Sequence, residues 1–122
     1  MQYIFTKKDA LCVDRKNPDR TVYLWVDKEV GAKAISAGTA EIPVGSELPY
    51  HTHEVEEIMF IYKGKGVAVV EGETSPLEAE NIVFVPPGVK HTFKNTGAEP
   101  LVFAFFYAPP GPEQVVHEWA KK

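Results

Sequence analysis

The sequence predicts an all-β fold, a sandwich or barrel of short strands that ends in a short C-terminal helical segment. Three observations carry that reading. Short β-branched and aromatic runs recur at close spacing, as in Thr21 to Val26, Val55 to Tyr62, Val67 to Val70 and Ile82 to Val85. Turn-forming clusters separate them: Lys63-Gly64-Lys65-Gly66, Glu71-Gly72-Glu73, Pro86-Pro87-Gly88 and Asn95-Thr96-Gly97. The only helical pattern lies in the tail from Pro112 to Lys122, where Val115, Val116 and Trp119 supply the apolar anchors.

Taken in order, Tyr3 to Phe5 is a brief β-like run, and Asp14 to Arg20 is a polar, turn-rich connection. Thr21 to Val26 is a strand. Lys33 to Ile42 is another, with Gly38 as its weak point. Pro43 to Tyr50 is a loop holding two prolines and Gly45. Val55 to Tyr62 is the strongest strand signal. Val67 to Val70 and Thr74 to Leu77 follow, Ile82 to Val85 reads as a buried strand, and His91 to Lys94 and Leu101 to Tyr107 complete the series. Val55 to Tyr62 is apolar at odd positions (Val55, Met59, Ile61) and at even ones (Ile58, Phe60, Tyr62). A strand with one wet face alternates instead. Either a second sheet or a second subunit must cover the outer side, and a homodimer is the expectation.

A chain of 122 residues fits one domain spanning 1–122. The net charge of -4 excludes the basic face that nucleic-acid binding requires. No apolar run is long enough to cross a bilayer. Cys12 is the one cysteine, so no internal disulfide is expected, and a half-buried strand position is. Met1 to Val13 lacks the apolar core of a secretion signal, which makes the cytoplasm the expected compartment.

Three of the four histidines lie in two short segments. In Tyr50-His51-Thr52-His53-Glu54-Val55-Glu56-Glu57, residues His51, His53 and Glu57 share odd parity. On an extended chain they point to one side, with Glu54 and Glu56 on the other. Two imidazoles and a carboxylate suit a borderline metal ion, and His91, at the start of another strand after Pro86-Pro87-Gly88, is the natural fourth ligand.

At this point the sequence resembles the cupins. Their first motif, G-x5-H-x-H-x3-E-x6-G, is matched at every fixed position by Gly45, His51, His53, Glu57 and Gly64. Their second, G-x5-P-x-G-x2-H-x3-N, is matched by Pro86, Gly88, His91 and Asn95, but Glu80 stands where the opening glycine belongs. That departure concerns a turn and not a ligand. The resemblance implies a double-stranded β-helix (jelly-roll) barrel of two antiparallel sheets with a metal inside one end. It assigns His51, His53, Glu57 and His91 as ligands of one divalent transition metal (Fe, Mn, Ni, Zn, Co or Cu).

Such a ligand set leaves open positions for a small-molecule substrate. The expected function is a metalloenzyme acting on a small oxygenated organic molecule. Dioxygenase or decarboxylase chemistry comes first, and isomerase or lyase chemistry on a sugar acid or keto acid second. The alternative is a non-catalytic binding protein. Met59, Ile61, Phe93, Phe103, Phe105 and Tyr107 are candidates for the wall around the metal. No catalytic residue is assigned: Tyr50, Tyr62 and Tyr107 are equal candidates for a phenol at the site, Glu47 reads as a solvated loop carboxylate, and His117 as a surface residue. Arg15 and Arg20, the only arginines, fall in an N-terminal turn, so the substrate is expected to be weakly charged or mono-anionic.

Overall fold

The computed structural model describes residues 1–121. Nine strands form two antiparallel sheets. They are β1 (Leu11–Arg15), β2 (Arg20–Val26), β3 (Ser36–Ile42), β4 (Glu56–Lys63), β5 (Lys65–Val70), β6 (Glu73–Glu78), β7 (Ile82–Val85), β8 (His91–Lys94) and β9 (Leu101–Ala108). The larger sheet runs β1-β2-β3-β9-β4-β7 and the smaller β6-β5-β8. A 3-10 turn (Pro112–Gln114) leads into α1 (Val115–Ala120), the one α-helix among the described residues.

The two sheets close over a shared apolar core. Ile42, Ile61, Phe93 and Leu101 are fully or almost fully buried between them. Period-two burial is clearest on β2 and β3, whose inward positions are Arg20, Val22 and Leu24 and Ser36, Gly38, Ala40 and Ile42. The outward positions of these strands remain half-exposed, so β2 and β3 alternate as one-sided strands do.

Four expectations change. Tyr3 to Phe5 forms no strand; Tyr3 and Ile4 are exposed, and nothing pairs with this run to complete a ladder. β3 begins at Ser36 rather than Lys33, and Gly38 does not weaken it. A Cβ at Gly38 would lie 2.2 Å from Cζ of Phe105 and 2.6 Å from the Tyr23 carbonyl, so the missing side chain is what lets the Phe105 ring lie across the strand. β7 is the edge of the large sheet, and its supposed burial fails on the outer face, where Ile82 is 65% and Phe84 54% exposed. Cys12 is exposed, because the alternation of β1 turns Leu11, Val13 and Arg15 inward and Cys12 out.

Glu80, in the place of the motif glycine, adopts φ 73°, the left-handed conformation a glycine would take without strain. Its N–H donates to the Ile61 carbonyl at 2.6 Å, so the turn keeps its shape despite the substitution.

Candidate metal centre and its cavity

The four motif residues come from both sheets. His51 is not in a strand, but its backbone bridges that of His91 through reciprocal N–H to carbonyl bonds of 3.1 and 2.9 Å. This hooks the loop before β4 onto β8. The chain then bends at Glu54 and Val55, and the Gly88 N–H donates to the His53 carbonyl at 2.8 Å. Glu57 sits in β4 between Val85 of β7 and Tyr107 of β9. The side chains therefore converge because the segment crosses from one sheet to the other. Strict strand alternation, the reason given by parity, does not run through residues 51 to 55.

Ring nitrogens of His51, His53 and His91 all lie within 4.8 Å of one another. Glu57 Oε1 is 3.0 Å from Nε2 of His91 and 3.7 Å from Nε2 of His53. Nδ1 of His91 meets the Val89 carbonyl at 3.0 Å, and Nδ1 of His51 meets the Pro49 carbonyl. A carbonyl can only accept, so the ring nitrogen that faces it carries the proton; these contacts place the proton on Nδ1 and leave Nε2 as the ligand atom.

Burial lowers the pKa of His51, and that of His53 to about 4. Both rings are neutral near pH 7 and present lone pairs. Burial opposes charge at His91 also, but the hydrogen bonds its ring donates to Glu57 and to the Val89 carbonyl outweigh it and raise its pKa. The three imidazoles are a donor set that can hold a metal ion.

The tyrosines separate cleanly. Tyr107 is buried, and its hydroxyl lies 3.2 Å from Nε2 of His53. Burial and then the Glu57 charge raise its pKa well above the usual phenol value, so it holds its proton at neutral pH. Tyr50 and Tyr62 are exposed. Glu47 is also exposed and lies 3.8 Å from Lys94.

A cavity of about 240 Å³ opens beside the histidines. Of the proposed wall residues, Met59, Phe103, Phe105 and Tyr107 line it, whereas Ile61 and Phe93 belong to the core behind. Among the lining residues that sequence reasoning did not name as wall residues are Arg20, Glu113 and Trp119. Arg20 is the inward first residue of β2, not part of a remote turn. Glu113 is 2% exposed and accepts from Ser36 Oγ at 2.7 Å, Gly111 N–H at 2.7 Å and Gln114 Nε2 at 2.8 Å. Those donors hold its carboxyl below the usual range against the opposing effect of burial. Helix α1 lies over this side of the cavity through Val115, Val116 and Trp119. His117 is no free surface residue: its Nε2 is 2.8 Å from Asp27 and 3.2 Å from Glu29, which pins the helix to the turn after β2.

A family model described as "Cupin domain" matches residues 38–108. The chain is a cupin. Among curated relatives it is 38% identical over 64 residues to an oxalate-binding protein of Thermotoga maritima, covering 52% of this chain and 53% of that one. It is 31% identical over 85 residues to "Polyketide synthase CurC" of Streptomyces cyaneus, covering 69% of this chain and 55% of the relative. The match thus spans about half the length of these proteins. Among solved structures, a predicted oxalate decarboxylase from Thermotoga maritima superposes with a TM-score of 0.80 at 23% identity, over 88% of this cupin and 100% of that chain. The polyketide cyclase RemF from Streptomyces resistomycificus gives 0.79 at 20%, over 92% and 82%. At such identities the likeness shows the jelly-roll fold alone. No helix among the described residues is long and apolar enough to cross a membrane.

Proposed function

We propose that this cupin is a metal-dependent enzyme for a small oxygenated organic acid, with His51, His53, Glu57 and His91 as the ligands of one divalent transition metal. The observation that carries the reading is the set of three imidazoles whose ring nitrogens lie within 4.8 Å of one another, two of them with Nδ1 held by a carbonyl. When bound, Fe, Mn, Co, Ni, Cu or Zn supplies Lewis acidity to a substrate oxygen, and the redox-active members supply electrons as well. The protein's own groups do the rest. Met59, Phe103 and Phe105 give the cavity an apolar lining. Tyr107 keeps a proton available beside His53.

Decarboxylase or dioxygenase chemistry is the first choice. The cavity volume, that of about eight liquid waters, suits a short acid of the kind named in both Thermotoga maritima proteins. Isomerase or lyase chemistry on a sugar acid or keto acid is the second. Binding without turnover is favoured by one observation, the likeness to the oxalate-binding protein of Thermotoga maritima. Elemental analysis of the purified protein, beside His53→Ala, tests the metal. One ion per chain in the wild type and its loss in the variant is the expected result; equal content in both overturns the ligand assignment. Oxygen uptake and carbon dioxide release from oxalate and short keto acids then separate enzyme from binder.

The same reading includes a homodimer formed through the outer face of β4, β7 and β9. Ile58 pairs with Phe84 on one side and Phe106 on the other, and Phe60 pairs with Ile82. Ile58, Tyr62, Ile82 and Phe84 are all exposed on this face, and an apolar patch of that kind is a docking surface more often than a wet one. Light scattering should give twice the chain mass, and Phe84→Glu should give a monomer.

A further inference from the structure

Among the described residues, Arg20 is the one charged side chain of the cavity wall that neither an opposite charge nor a full set of hydrogen bonds answers. Glu57 faces His53 and His91, and Glu113 is held by three donors. Arg20 is 9% exposed, and its hydrogen bond is a single one, from Nη1 to the Pro18 carbonyl at 2.7 Å. A guanidinium carries five N–H donors. Among the described residues no carboxylate lies within ion-pair distance of it.

Its neighbour adds to the imbalance. Arg15 is the register partner of Arg20 across β1 and β2. Both guanidiniums lie over the Trp119 ring, at 4.6 Å for Arg15 and 5.5 Å for Arg20. Nε of Arg15 is buried without a partner. Burial and then Arg15 disfavour the charge on Arg20. A buried cation is ordinarily paired, and an unpaired one is costly to the fold. Such a charge on a cavity wall is retained where an anion arrives to pair with it.

We propose that Arg20 is a specificity-determining residue that receives a substrate carboxylate, so that the site selects acids carrying a second carboxylate besides the group that meets the metal. Trp119 positions the guanidinium from one side. The planar fork matches a carboxylate with two parallel hydrogen bonds. A divalent ion with Glu57 leaves a net charge of about +1, to which Arg20 adds another. A dianionic acid of small size neutralises both. This rests on the metal reading above and replaces the weakly charged substrate expected from sequence, because Arg20 stands in the cavity wall.

Calorimetric titration of succinate and of butyrate, which replaces one carboxylate by a methyl group, tests it. Wild type, Arg20→Gln and Arg20→Lys are each compared with one equivalent of Mn²⁺ and without metal. The manganese-loaded wild type should bind succinate about 10- to 100-fold more tightly than butyrate, the range expected of a buried charge-assisted pair. Arg20→Gln should erase that preference with the circular dichroism spectrum and manganese stoichiometry unchanged. Arg20→Lys, which keeps the charge and loses the fork, should retain a part of it. A wild type without preference, or an Arg20→Gln protein that keeps it, overturns the proposal. Should Arg20→Gln fail to fold, an undiminished preference in Arg20→Lys overturns it. Failure of the metal reading shows separately, as absence of manganese uptake by the wild type. In that case metal-free protein still reports Arg20, through the loss of succinate affinity in Arg20→Gln.

Discussion

The cavity has two kinds of wall. One is made by residues clustered in two short segments, His51 to Glu57 and His91, tied by a backbone bridge between the sheets. The other is made by single residues from distant elements: Arg20 from β2, Glu113 from the 3-10 turn and Trp119 from α1. The first wall offers imidazole nitrogens with one carboxylate beside them, and the second offers an arginine and a glutamate held in place by the fold. Metal affinity should therefore be sensitive to the first wall alone. Substrate choice and the closure of the C-terminal segment should follow the second.

The largest effect expected is at His91. His91→Ala should lower metal affinity by more than about 100-fold, beyond the 10- to 100-fold that partners outside the ligand set are worth. Mass spectrometry of the native protein would read it, and undiminished occupancy would dissolve the distinction between the walls. Next comes Glu113→Ala, which strands Ser36 Oγ and the Gly111 N–H. It should remove about 2–3 kcal/mol of stability in urea unfolding yet leave metal stoichiometry intact. Loss of metal in that variant would show that the two walls are one unit.

A pH titration of the metal-free protein sharpens the first wall from within. Histidine ring signals in NMR should show His53 titrating near 4 and His91 above the ordinary 6.5. The signs oppose. The folded pKa of His53 is depressed, so its ring costs stability as pH falls from 6.5 towards 4, where only the unfolded chain takes up the proton. The folded pKa of His91 is raised, so its contribution is complete below 6.5 and is lost as pH rises through the folded value. Equal titration of the two rings would mean that Glu57 does not distinguish them.

The smallest effect is Glu80→Gly. Relief of the left-handed conformation at φ 73° is offset by the greater entropy a glycine loses on folding. A gain of up to about 1 kcal/mol is expected, with metal content unchanged. A change in metal content would show that the motif turn does more than connect β6 to β7.

The contrast also explains what could be read in advance. The strand pattern, the terminal helix and the two motifs are local in sequence, and the fold and the meeting of the three histidines follow from them. Parity put His51, His53 and Glu57 on one side, and the structure brings them together although the chain bends between them. The second wall is a product of topology. Arg20 abuts a polar turn and carries no local sign that its strand starts there, facing inward. Glu113 lies beside Pro112 in a tail that reads as solvent-facing until Ser36, on a strand far away in sequence, reaches it. Tyr107 could be told from Tyr50 and Tyr62 only by the register that sets it against Glu57. The outer faces of β4 and β7 were legible as apolar, but whether they are buried or exposed depends on β7 being an edge.

The bare backbone at Gly38 has a consequence for the range of molecules admitted. The Phe105 ring occupies the place of the absent side chain, and the same ring lines the cavity. A methyl group at position 38 would meet both that ring and the Tyr23 carbonyl, so the ring and the neighbouring β2 backbone would both have to give way. The width of the cavity is thus gauged in part by a residue that does not line it: Gly38→Ala should shorten the longest acid accepted, which calorimetric titration of a series of straight-chain acids would read, at some cost in stability.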